Sequence, residues 1–145
     1  DNRMTKSFQA TAQIAASAKS IWAILTDIDR WPEWNTTIDK IAGSISSGGR
    51  VTVHAKASPG RAFPLQVTEF DPPRRMVWTG GMPLGLFKGQ RTYTLTPKGD
   101  NVTEFSMREE FSGLMAPLIT RSIPDLQPSF DEFAACLKAR AENVG

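Results

Sequence analysis

The sequence predicts an α+β fold in which a long C-terminal helix lies across a curved antiparallel sheet. Three observations predict it. Residues 125–142 carry an apolar stripe at helical spacing, residues 37–111 break into strand-sized segments divided by turn signals, and one strand with two short helical patterns precedes them.

In the C-terminal stretch, Leu126, Phe130, Phe133, Ala134, Leu137 and Ala141 recur at three- and four-residue steps and share one face of a helix. Asp131, Glu132, Lys138, Arg140 and Glu142 take the other sides. At its usual rise such a helix is roughly 27 Å long, a length that matches the width of a sheet rather than a loop.

At the other end, residues 7–14 alternate, with Phe8, Ala10, Ala12 and Ile14 on one side, as a half-buried strand does. Ser17 offers a helix N-cap, and Ile21, Trp22, Leu25 and Ile28 form the stripe behind it. Pro32 is expected to stop that helix and to open a second short one carrying Trp31 and Trp34 on one side.

Strand-sized segments follow at 37–45, 50–56, 63–67 and 76–79, divided by Gly48-Gly49, Ser58-Pro59-Gly60 and Asp71-Pro72-Pro73. A loop is expected from Gly80 to Phe87, and the two longest strands at 86–96 and 102–111 are joined through Pro97-Lys98-Gly99-Asp100. Hairpin-length connections make the sheet antiparallel, and strands followed by a terminal helix are an α+β pattern.

The 145 residues suffice for one domain with a substantial core, expected over 4–145. Met4 is a candidate start, with Asp1, Asn2 and Arg3 ahead of it. A net charge of +2 with interleaved signs gives no cationic stripe, so no nucleic-acid partner is expected. Cys136 is the lone cysteine, no run approaches a membrane span and no signal-peptide core opens the chain, so a cytoplasmic protein without stable membrane insertion is expected. Its assembly reads as monomer or homodimer.

Some polar groups share strand parity with the core. Arg91 falls with Phe87, Tyr93 and Leu95, and Glu109 falls with Phe105, Met107 and Phe111. If Leu95 lies opposite Phe105, then Tyr93 meets Met107 and Arg91 meets Glu109. Two readings stand side by side. In one, Arg91 and Glu109 are an ion pair that makes each charge tolerable near the core. In the other, Arg91 grips a carboxylate or phenolate, Tyr93 donates to a carbonyl and Glu109 shuttles protons, which makes these three the catalytic candidates.

His54 falls on the outer face of its strand with no second histidine, so no metal site is expected. Cys136 flanks the helix stripe as a small core residue. Trp31 and Trp34 read as a plug that seats the short helix. The glycines from 80 to 85 form neither a P-loop nor a dinucleotide fingerprint, so no cofactor is expected. The same stretch holds Met82, Leu84, Leu86 and Phe87, which suit the mouth or lid of an apolar site or a cover folded onto the long helix.

The opening with Ala16-Ser17 and Ile21-Trp22, the run Asp29-Arg30-Trp31-Pro32-Glu33-Trp34-Asn35, the strand Met76-Val77-Trp78-Thr79-Gly80 and the late Glu109-Glu110-Phe111-Ser112-Gly113 carry a resemblance. Together they resemble the START and birch-pollen-allergen superfamily (SRPBCC), and within it the bacterial polyketide cyclase/dehydrase branch. The resemblance implies a helix-grip fold: seven antiparallel strands curled around the C-terminal helix, two short helices after the first strand, and a hydrophobic cavity between sheet and helix. It also implies a small hydrophobic ligand such as a lipid, sterol or polyketide, with a cyclase or dehydratase, or a partner-docking module, as alternatives. The sheet side of the cavity would be lined by Val53, Phe63, Leu65, Val67, Trp78, Phe87, Arg91, Tyr93, Phe105, Met107 and Glu109. Phe130, Phe133 and Leu137 would line it from the helix.

Overall fold

The computed structural model describes residues 6–143, so Met4 and the three residues before it lie outside the described residues. Strand β1 (Lys6–Ile14) leads into α1 (Ala18–Thr26) and a 3-10 helix over Ile28–Glu33. Six strands follow: β2 (Ile38–Gly43), β3 (Arg50–Ala55), β4 (Phe63–Asp71), β5 (Arg75–Met82), β6 (Phe87–Gly99) and β7 (Val102–Ser112). A short helix α2 (Ala116–Ile119), a 3-10 turn over Thr120–Ser122 and the long α3 (Gln127–Asn143) complete the described chain.

The strands form one curled antiparallel sheet in the order β1-β7-β6-β5-β4-β3-β2. From β2 onward every neighbour in sequence is a neighbour in the sheet, and β1 closes beside β7. The apolar stripe of α3 is buried as expected through Phe130, Phe133, Ala134, Leu137 and Ala141, whereas Leu126, expected to open it, precedes the helix and is half-buried. Burying each Phe or Leu of that stripe contributes about 2 kcal/mol.

The polar side of α3 has a second task. β1 is an edge strand, and α3 satisfies two of its outward carbonyls: Gln127 Nε2 donates to the Gln9 carbonyl at 2.8 Å and Lys138 Nζ to the Gln13 carbonyl at 2.7 Å. The Ala15 N–H donates to Glu142 Oε2 at 2.9 Å. The edge is thereby clasped to the helix rather than left open to another chain.

Two expectations are corrected. Pro32 does not stop α1, which ends at Thr26 when Asp27 leaves helical geometry (φ −93°, ψ 75°). Ile28 accordingly belongs to the 3-10 helix, and Pro32 lies inside it. The helix tolerates the missing donor because the N–H groups of Trp34 and Asn35 both reach past the proline to the Trp31 carbonyl.

The strand expected at 76–79 is longer. Gly80 and Gly81 stay in the ladder opposite Gly89 and Lys88, so the connection shrinks to residues 83–86. Gly80 is small because β4 packs close over it, and a Cβ there would stand 2.7 Å from Leu65 Cδ2 and 2.9 Å from the Pro64 carbonyl oxygen. Close approach, rather than a turn, accounts for this glycine.

Candidate functional site

Register across the sheet assembles the site. Phe8 of β1 lies opposite Glu109, Glu109 opposite Arg91, Arg91 opposite Trp78, and Trp78 opposite Val67. Side chains directly opposite share a face. The next row places Ala10, Met107, Tyr93 and Met76 in line. The parity reading therefore brings Arg91 opposite Glu109 and Tyr93 opposite Met107.

Arg91 Nε donates to Glu109 Oε1 at 2.6 Å, with the two side chains 24% and 15% exposed. The guanidinium carbon stands 4.9 Å from the Phe130 ring centroid of α3, so the cation is held between sheet and helix. Burial works against this charge, but Glu109 and Tyr93 outweigh it and raise the Arg91 pKa above its ordinary value. Burial pushes the Tyr93 hydroxyl up, with Arg91 opposing.

Two donors in this cluster have no acceptor. The Trp78 indole Nε1–H is buried without one, and the Tyr93 hydroxyl, whose oxygen faces the donors of Arg91, has none for its own proton. Their rings lie 5.0 Å apart. A buried donor without an acceptor is rare in folded proteins, because it forfeits the hydrogen bond it made to water. Asn35 Nδ2 shares this state, while Asn35 Oδ1 accepts from Thr37.

The middle of the interior is filled with rings rather than open. Phe133 lies 5.4 Å from Trp31, 5.5 Å from Trp34 and 6.1 Å from both Tyr93 and Phe105, and Trp31 stacks on Trp78 at 5.7 Å. The Trp31 indole donates to the Leu25 carbonyl at 3.1 Å, as a seated plug should. Two clefts, of about 480 and 380 Å³, open elsewhere. The first runs between α1 and the C-terminal end of α3, past Ser17, Ile24, Trp34 and Arg140. The second lies between β1 and α3 at Thr11 and Ala134, and neither includes a residue expected to line the cavity.

The expected lining residues thus divide. Arg91, Tyr93, Glu109, Trp78, Phe105, Phe130 and Phe133 belong to the ion-pair and ring cluster just described. Val53, Val67, Met107 and Leu137 are buried core, Leu65 is half-buried, and Phe63 stands exposed opposite Val53. Phe87 stacks on Phe111 at 5.8 Å on the loop side of Arg91. His54 and Cys136 are half-buried; Cys136 Sγ lies 3.3 Å from the Thr36 hydroxyl, which also bonds Glu132. Among the described residues no cluster of His, Cys, Asp or Glu could hold a metal.

Sequence reasoning does not single out Gly89 or Phe8. Gly89 is inward by parity, lies opposite Phe111, and a Cβ on it would meet the Phe111 ring at 3.2 Å and Glu109 Oε2 at 4.0 Å. The signal for it is a glycine interrupting the inward series Phe87, Arg91, Tyr93. Phe8 faces Phe130 at 5.9 Å and completes the wall beside Glu109.

A curled seven-stranded antiparallel sheet gripping a long C-terminal helix is a helix-grip fold. Residues 5–142 match the family described as polyketide cyclase / dehydrase and lipid transport, and the chain belongs to that family. A Penicillium oxalicum relative, the oxopyrrolidines biosynthesis cluster protein O, is 27% identical over 139 residues; the match covers 79% of this chain and 66% of that protein's length. Among solved structures, the Zhui aromatase/cyclase of Streptomyces sp. R1128 superposes with a TM-score of 0.75 at 13% identity, over 97% of this chain and 95% of that one. A START superfamily protein from Mycobacterium smegmatis gives 0.72 at 16% identity, over 96% and 99%. These two likenesses concern the fold.

Proposed function

We propose that the chain binds a small, largely apolar molecule carrying a carbonyl or acidic oxygen, held between the sheet and α3 at the Arg91 end. The observation that carries this reading is the pair of buried, unpaired donors, Tyr93 O–H and Trp78 Nε1–H, lying beside Arg91. Both donors gain an acceptor when a ligand oxygen arrives, and the surrounding rings of Trp31, Phe105 and Phe133 suit an aromatic or polyketide-like body. Family membership and the aromatase/cyclase likeness point the same way.

Reaching those donors requires the ring cluster to part, so binding should change tryptophan fluorescence as well as thermal stability. Thermal shifts against fatty acids, sterols and aromatic polyketides test the reading. Oxygenated aromatic compounds should raise the melting temperature, and Tyr93→Phe should weaken that response. Silence across the panel would contradict it.

A second reading, a cyclase or dehydratase, draws on Glu109 and Tyr93 lying in adjacent rows around Arg91, where a base and an acid are within reach of one ligand. Glu109→Gln separates the two. An enzyme loses turnover while keeping ligand affinity, whereas a binding protein changes only in affinity.

A further inference from the structure

The connection between β5 and β6 is a tight turn over residues 83–86, closed by the Leu86 N–H donating to the Pro83 carbonyl at 3.2 Å. Its central residues, Leu84 and Gly85, both have positive φ, 61° and 71°. Such turns favour Asn, Asp or Gly at both places, because a Cβ in left-handed geometry crowds the following carbonyl. Leucine is a poor choice there, and the residue is 90% exposed. Backbone strain and exposed apolar surface both weigh against Leu84 in an isolated molecule.

A second segment stands beside it. After β7, Leu114 is 83% and Leu118 60% exposed. The Leu114 N–H donates to the Gly85 carbonyl at 3.1 Å, and the Met115 N–H to the Leu86 carbonyl at 2.8 Å. Gly113, with φ 111°, permits this approach, since a Cβ on it would lie 2.7 Å from the Leu86 carbonyl oxygen. One end of the sheet therefore carries a double tip of leucines.

Charge indicates what that tip meets. Lys88 lies opposite Gly81 on one side and Ser112 on the other, at the base of both segments, and Arg121 follows Leu118 by three residues. Both cations are exposed and take part in none of the ion pairs among the described residues. The nearest carboxylates on β7 are already engaged, Glu109 by Arg91 and Glu110 by Arg108. A second copy of the chain fits this end poorly, because a two-fold partner brings the same two cations to a contact whose β7 carboxylates are already engaged. An anionic bilayer accepts both features: leucines enter the acyl boundary while the cations remain among the headgroups.

We infer that this end of the sheet is a peripheral docking surface for anionic lipid bilayers, inserted through Leu84, Leu114 and Leu118 and oriented by Lys88 and Arg121. No helix among the described residues is long and apolar enough to cross a membrane.

Co-sedimentation with vesicles of phosphatidylcholine alone, and of phosphatidylcholine with phosphatidylglycerol in equal parts, tests it. The protein should pellet with the anionic vesicles and be released by salt. Leu84→Asn should weaken partition about tenfold while raising the melting temperature by about 3 °C, because the turn gains a residue suited to it. Lys88→Gln and Arg121→Gln should each weaken anionic-vesicle binding about fivefold. A monomeric short-chain phosphatidylglycerol separates bilayer docking from capture of one lipid: it should leave vesicle binding unchanged, and competition with the vesicles would overturn the inference. The inference is overturned if the protein stays in the supernatant, if Leu84→Asn binds vesicles like the parent, or if Leu84→Asn abolishes a concentration-dependent dimer instead.

Discussion

At the scale of single residues, Arg91 and Tyr93 bear the electrostatics of the site. Removing one member of a fully buried ion pair costs about 3 to 5 kcal/mol, and the partial exposure of this one reduces that to about 2. Glu109→Gln should therefore destabilise the fold by about 2 kcal/mol, while the double change Arg91→Met with Glu109→Met should be nearly neutral, as urea unfolding would measure. Additive losses, with the double variant losing as much as the two single variants together, would mean that the pair contributes nothing as a pair. Tyr93 gives a pH dependence whose sign follows from its burial. Its hydroxyl is held above the ordinary value of 10.0, so the stability it lends is fully present below that pH and is lost as pH rises through the folded pKa. Since it is the only tyrosine, tyrosinate absorbance reports it directly, and titration at or below the ordinary value would contradict this. The parity of two strands sufficed to place Arg91 opposite Glu109. It carried no sign of the unpaired Trp78 Nε1–H, because a missing partner depends on every neighbour in three dimensions.

At the scale of elements, α3 works with both faces. Its apolar stripe was legible because helical spacing is local and survives in the sequence. Its clasp on β1 was not legible: Gln127 to Gln9, Lys138 to Gln13 and Glu142 to Ala15 join positions more than a hundred residues apart, and side chain to backbone contacts leave no periodic trace. Changing Gln127 and Lys138 together to leucine and methionine should cost about 2 kcal/mol, at about 1 per hydrogen bond. It should also expose the edge of β1 and promote self-association, which light scattering at rising concentration would detect. Elsewhere, glycine and proline misled for one reason. Gly80 and Gly81 look like a turn yet extend β5, and Pro32 looks like a stop yet sits within a 3-10 helix, since packing by Leu65 and bonds reaching past the proline overrode local preference.

At the scale of the whole molecule, the curled sheet and the gripping helix follow from alternation, turn signals and one long stripe, all of which the chain displays openly. The filling of the interior does not, because alternation says which residues face inward but not whether their rings meet. Phe133, Trp31, Trp78 and Tyr93 do meet, so the ligand proposed above would need these rings to part. The central claim is that the buried donors beside Arg91 wait for a ligand oxygen. The most direct measurement is the NMR resonance of the Trp78 indole N–H, titrated with an aromatic ketone and with its deoxygenated hydrocarbon analogue. The ketone should move that resonance downfield and slow its hydrogen exchange, and the hydrocarbon should do neither. A ketone that binds and leaves the Trp78 N–H where it was would contradict the claim.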